Sequence, residues 1–378
     1  MFYADERPRQ LGRYSPKMMR FSVTLALAIS GAALAAYAVF IALAWTRGAN
    51  VPLLPVQKNP KPLTSSDIYD LTRSAVAVAG LAAGVFAAVY AYRKQRVEEA
   101  ASRRSDEEHF SSRYQDAADQ LGSDKAAVRL AGVYALSRLA DDWPEQRQTC
   151  INVLCAYFRM YKEGDDLPAG EKEVRVTILD ALLDRLDPTA SNSWRNYDYS
   201  LKGSFFDSDF FMPDGPGEGF IDLSESTFSK CRVWIQNDHK HDLNVVDFRE
   251  SIFKEARVEI RGIYPCGDLN FNRARLQSGK FNFSNLRLEG GTLRFEATSF
   301  EGADVFFSGA EFAKGTADFT KADFAAGRVD FSHADFKIGV VEFGYASYGD
   351  ARLIMEDVKG DKPQGLPKDL WKPRESES

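Results

Sequence analysis

Ala317-Asp318-Phe319-Thr320-Lys321-Ala322-Asp323-Phe324-Ala325-Ala326-Gly327-Arg328 is one unit of a pattern that returns every twelve residues from Leu269 to Tyr348. One aromatic ladder is Phe271, Phe283, Phe295, Phe307, Phe319, Phe331 and Phe343. A second follows five residues behind, at Leu276, Leu288, Phe300, Phe312, Phe324, Phe336 and Tyr348. Smaller apolar residues stand two places ahead of each ladder: Leu269 to Val341 for the first, and Ala274, Leu286, Thr298, Ala310, Ala322, Ala334 and Ala346 for the second. Gly279, Gly291, Gly315, Gly327 and Gly339 recur in phase, with Ala303 as the exception. A fixed period of this size marks a solenoid.

Each unit holds two five-residue motifs (inward, polar, large inward, polar, polar) and two added residues beginning near the glycine. Ala317-Asp318-Phe319-Thr320-Lys321 and Ala322-Asp323-Phe324-Ala325-Ala326 resemble the pentapeptide-repeat family, whose motif is a small residue, Asp or Asn, Leu or Phe, and two polar positions. The resemblance implies a right-handed quadrilateral β-helix with one pentapeptide per face. The added residues depart from the family pattern. Two Phe-sized side chains per twelve residues would overfill a one-unit coil, so four faces are expected to take about 24 residues, against the family's 20. Identical residues two units apart should then touch in columns, on coils ~4.8 Å apart. Burying each Phe is worth roughly 2–3 kcal/mol before entropy. The phenylalanines read as core and not as cofactor contacts, and the glycines as corners where a Cβ would strain the chain.

Upstream, residues 1–20 are basic, with Arg7, Arg9, Arg13, Lys17 and Arg20 against Asp5 and Glu6. Residues 21–46 carry no charge, which exceeds the ~20 residues needed to cross a bilayer and the ~7–15 of a signal-peptide core. A second uncharged run, 74–92, ends in Arg93, Lys94 and Arg96. Two spans joined by a Pro-rich external loop at 47–73 make a transmembrane helical hairpin. The excess of Arg and Lys outside it places both termini in the cytoplasm of a plasma-membrane protein. Gly80, Gly84 and Ala88 line one face of the second span, and Ala28, Ala32 and Ala36 one face of the first. Such faces pack helices closely, either within the hairpin or between protomers in a homo-oligomer. Neither span holds an ionisable residue, so an ion or proton path is not expected.

Residues 93–122 read as a charged helical stalk and 123–188 as a helical block. Ser123 is the expected N-cap of its first helix, with Val128, Ala131, Ala135 and Leu139 on the buried face. Ile151, Leu154, Cys155 and Phe158 mark a second helix, and Val174, Ile178, Leu182 and Leu186 a third. Ala127-Val128-Arg129-Leu130-Ala131-Gly132-Val133-Tyr134-Ala135-Leu136 and Cys150-Ile151-Asn152-Val153-Leu154-Cys155-Ala156-Tyr157 resemble a block that adjoins two spans and pentapeptide repeats in actinobacterial membrane proteins. Residues 189–220 read as an irregular solenoid start or cap, 221–358 as the β-helix with its C-terminal cap, and 359–378 as a disordered tail. One extra residue near 238–242 and one fewer across 262–268 interrupt the period.

Chemistry has few candidates. His239 and His241, flanked by Asp238 and Asp242, are weak metal candidates, because a metal needs three or four ligands. Cys150 and Cys155 read as free thiols. Asp318, Asp323, Asp330 and Asp335 read as solvated outward positions. No phosphate loop, GxSxG or HExxH occurs. The formal charge of −6 shows no bulk basicity, so nucleic acid is an unlikely partner. The expectation is a non-enzymatic, cofactor-free membrane module that presents a rigid solenoid to a cytoplasmic protein. The alternatives are a signalling or phage-defence membrane effector, and a DNA-mimicking topoisomerase binder. The acidic excess over 301–350 is too mild for a duplex mimic.

Overall fold

The computed structural model describes residues 21–187, 190, 192–212, 217–237, 245–264, 266–336 and 339–373, with only the backbone at 21–29 and 100. His239 and His241 lie outside the described residues. The chain divides into two compact units, Met1–Glu107 and Glu108–Ser378.

In the first unit, helix α1 (Phe21–Thr46) is followed by a loop and by the start of helix α2 (Ser65–Leu121). The loop ends at 64, nine residues earlier than the sequence suggests. Thr64 and Asp67 cap each other: the Thr64 N–H donates to Asp67 Oδ2 at 3.1 Å, and the Asp67 N–H to Thr64 Oγ1 at 3.4 Å. The Thr64 hydroxyl and backbone bonds, with Arg47 beside them, hold the Asp67 carboxyl below the usual range. Among the described residues one helix, α2, contains a stretch long and apolar enough to cross a membrane, and Ser30–Thr46 is a shorter apolar helix.

The second unit is a helical block followed by a parallel β-solenoid of about six turns. Each regular coil contributes four short rungs, as in Asp268–Asn270, Arg275–Leu276, Gly279–Asn282 and Arg287–Leu288. Leu269 pairs with Leu293, Leu293 with Ala317 and Ala317 with Val341, a spacing of 24. The extra and missing residues fall where the sequence places them: Ile221 pairs with Val246, 25 apart, and Val246 with Leu269, 23 apart. The irregular stretch after 189 is the first coil, since Tyr199–Ser200, Phe205–Phe206 and Phe210–Met212 each pair with the next turn.

The core is two columns of rings. Phe271, Phe295, Phe319 and Phe343 stack at 5.1, 5.1 and 4.9 Å, and Phe283, Phe307 and Phe331 at 4.8 and 4.7 Å. The columns meet edge to face: Phe283 and Phe295 lie 5.8 Å apart at 88°. Both geometries suit the aromatic quadrupole, so every ring gains beyond its buried area. Phe300 stacks on Phe324, and Phe312 on Phe336, in flanking columns. Leu276 and Leu288 occupy the equivalent buried places one coil earlier.

The corners differ from the glycine rule. A left-handed corner falls two residues after the large inward residue at Glu225, Glu250, Arg273, Ala297, Lys321 and Tyr345 in one column, with φ of 55–60°. None of these six is glycine, although Gly203 and Gly309 take equivalent corners. The preceding Asp or Asn offsets the strain by accepting the corner's N–H bonds: Asp318 Oδ1 takes the Thr320 N–H at 2.8 Å, and Asn282 Oδ1 the Ser284 N–H at 3.0 Å. The phased glycines answer to proximity as well. A Cβ on Gly315 would stand 2.5 Å from the Gly291 carbonyl oxygen.

Helices α3 (Ala126–Asp142), α4 (Arg147–Phe158) and α5 (Glu171–Leu183) close the solenoid's first end. Phe158 packs on Phe206 at 5.1 Å, continuing the aromatic column into the helices. The first coil has no preceding rung to receive its carbonyls, and helical side chains replace that rung. Arg159 donates to Ser200 O at 2.8 Å, Gln148 to Asp198 O at 2.7 Å, and Arg175 to Phe205 O and to Phe158 O. The buried face of α3 is Arg129, Gly132, Val133, Leu136, Ser137, Leu139 and Ala140, so Ala131 is exposed and Val128 only half-buried. Gly132 sets this roll, because a Cβ there would meet Leu121 N at 2.6 Å. Lys125, not Ser123, precedes the helix; the Ser123 hydroxyl accepts the Lys125 N–H.

At the other end, residues 359–373 are ordered, in contrast to the expected tail. Glu356–Gly360 pairs with Asp335–Phe336, Lys372–Pro373 pairs with Glu356–Gly360, and Trp371 packs edge-on to Phe336 at 5.8 Å. Leu366 is buried and Trp371 packs against the core, so this charged segment carries apolar surface of its own.

Candidate interaction surface

The ladder residues all point inward, so any surface for a partner lies on the outward rungs. Over most of the solenoid these rungs are neutralised between consecutive coils. Lys202 pairs with Glu225 at 2.8 Å, Arg273 with Glu250 at 3.2 Å and Arg275 with Glu301 at 2.7 Å. Arg294 pairs with Asp268 at 2.9 Å and Lys321 with Glu296 at 3.4 Å. Opposite charges on adjacent strands stabilise a sheet, and like charges directly opposite destabilise it.

Like charges also face each other in register, at Asp222–Asp247, at Glu311–Asp335, at Asp318–Glu342 and along one mainly cationic column. Arg232 is in register with Arg257, Arg257 with Lys280, Lys280 with Asp304, Asp304 with Arg328, and Arg328 with Arg352. Five of its six residues are cations on rungs ~4.8 Å apart, and all five are exposed. Arg232 is held by Asp209 and Arg328 by Asp330. Among the described residues no carboxylate lies within ion-pair distance of Arg257, Lys280 or Arg352.

Of the four aspartates read as a solvated face, Asp323 is exposed and Asp330 is buried. Asp318 and Asp330 cap corners. Asp330 accepts the Ser332 N–H at 2.9 Å and its hydroxyl at 2.6 Å. Although burial pushes the other way, these bonds and Arg328 hold the Asp330 carboxyl below its usual range. Asp323 accepts the Ser347 hydroxyl of the next coil. Asp335 sits on the rung that pairs with Lys359.

Cys150 and Cys155 are buried on α4, where desolvation raises the thiols to about 11 and about 12, so neither is primed as a nucleophile. Gly80 and Gly84 meet no atom within 4 Å of where a Cβ would stand, and Val76, Leu81, Val85, Phe86 and Val89 around them are exposed. Among the described residues no group of three His, Cys, Asp or Glu could hold a metal ion.

The molecule thus belongs to the class of helix-capped parallel β-solenoids. No family model, curated protein or solved structure matches the chain.

Proposed function

We propose that this chain is a membrane-anchored, non-enzymatic interaction module whose pentapeptide-repeat-like β-helix, right-handed and quadrilateral, docks an acidic cytoplasmic protein along the Arg232–Arg352 column. The observation that carries this reading is Arg257, which stands in register between Arg232 and Lys280 with no carboxylate within ion-pair distance among the described residues. The arrangement works against the sheet, and an anionic partner would relieve it. A cationic column favours this reading over an acidic duplex mimic. The exposed apolar face of α2 supports an anchor; a two-span hairpin with α1 and cytoplasmic termini is the topology consistent with the flanking basic residues.

Arg257→Glu tests it. The variant alternates charge along Arg232, Glu and Lys280, so it should gain ~0.2–1 kcal/mol of stability. It should also lose the partners that wild-type chain retains at low salt in pull-downs from membranes. A variant that captures the same set at the same salt dependence would remove the column from the interface.

A further inference from the structure

The loop at 47–64 is built, not slack. The Ala49 N–H donates to Ala44 O at 3.1 Å and the Lys61 N–H to Gly48 O at 3.1 Å. Trp45 Nε1 donates to Pro55 O at 3.0 Å, and the Gln57 side chain returns a bond to Trp45 O at 3.0 Å. Ala44, Ala49 and Leu71 form a small buried core beneath it. Upon this base the chain turns through Val51-Pro52-Leu53-Leu54, with Leu53 at φ +72°. Proline followed by a positive-φ residue is the type II arrangement, whose second position calls for glycine or asparagine. A bulky side chain there is a backbone outlier. Leu53 is moreover 94% exposed, and Val56, three residues on, 82% exposed. Backbone geometry and solvation both favour a different residue at 53, and an outlier of this kind points to a role outside the fold.

We propose that Leu53 and Val56 form an apolar prong that inserts into the headgroup–acyl boundary of the bilayer; this rests on the membrane reading above. Lipid is the occupant the surroundings fit. The loop leaves an apolar helix directly after Trp45, a residue type enriched at membrane interfaces. Lys58 and Lys61 follow the prong in sequence, where lipid phosphates would meet them. The prong gives the α1–α2 connection a fixed depth, which a fully solvated linker would not have.

The test uses the full chain in vesicles of phosphatidylcholine and phosphatidylglycerol. An environment-sensitive fluorophore is placed by Leu53→Cys or Val85→Cys in a Cys266→Ser background. The other three cysteines are buried. The label at 53 should be shielded from iodide by about threefold relative to detergent-free aqueous reference peptide and quenched by shallow nitroxide lipids, with the label at 85 quenched by deep ones. A lipid-embedded label at 85 beside an iodide-accessible label at 53 would overturn the prong and leave the anchor standing. An aqueous label at 85 would overturn the anchor, and the prong with it. Shielding at 53 in native membranes but not in pure lipid would assign the prong to a protein partner instead of lipid. As a second measure, Leu53→Gly should keep or raise thermal stability while reducing shielding of a label at Val56→Cys. Unchanged shielding would overturn the proposal.

Discussion

Single aspartates and asparagines hold the corners of this rod. The motif's polar second position looks like solvent-facing decoration in the sequence, and in the structure it accepts the N–H two residues on. Asp330 adds a measurable pH signature. Its carboxyl is held below the usual value of about 3.9, so its contribution is complete above that pH and disappears as pH falls through the lower folded-state value. Asp330→Asn keeps an oxygen for Ser332 and loses the Arg328 charge. It should cost ~1 kcal/mol at neutral pH and flatten the acid limb of a stability–pH curve, measured by denaturant melts at several pH values. An unchanged acid limb would mean that the carboxylate does not contribute. The ladder residues were legible because burial imposes an exact chemical type on each. Corner positions such as Arg273 and Lys321 were not legible, since their side chains point outward and carry no trace of a positive φ.

At the scale of elements, the junction between α4, α5 and the first coil replaces a missing rung with guanidinium and amide groups. Arg175 is fully buried and donates to carbonyls on both sides of the junction, and burial lowers its pKa. Arg175→Met fills similar volume and leaves Phe158 O and Phe205 O without donors, so a loss of ~2–4 kcal/mol is expected in thermal or denaturant melts. A loss confined to a few tenths would show that water replaces the side chain. Sequence periodicity identified the faces of α4 and α5 because both pack on apolar neighbours. It misplaced α3, whose orientation depends on a backbone approach at Gly132 and on the buried Arg129–Glu171 pair at 3.1 Å. Neither contact has a hydrophobic period. The cationic column was equally hidden, because its members become neighbours only once 25-, 23- and 24-residue offsets are known.

For the whole molecule, the proposed anchor and the rod make separable predictions. Gly80 and Gly84 present an open face in the chain. If that face pairs copies in the bilayer, Gly80→Leu with Gly84→Leu should weaken crosslinked dimers in membranes without altering the melting of the second unit. Dimers of undiminished yield would leave the stripe as a lipid-facing surface.

The equal spacing of coils also bears on how such a rod changes size. Val246 stands 25 residues after Ile221 and 23 before Leu269, so one lengthened turn is cancelled by the next. Downstream, any in-frame duplication of a 24-residue segment would insert a complete storey, raise the tower by ~4.8 Å and leave both its lid and its floor unaltered. Reach is therefore an independently adjustable dimension of this architecture.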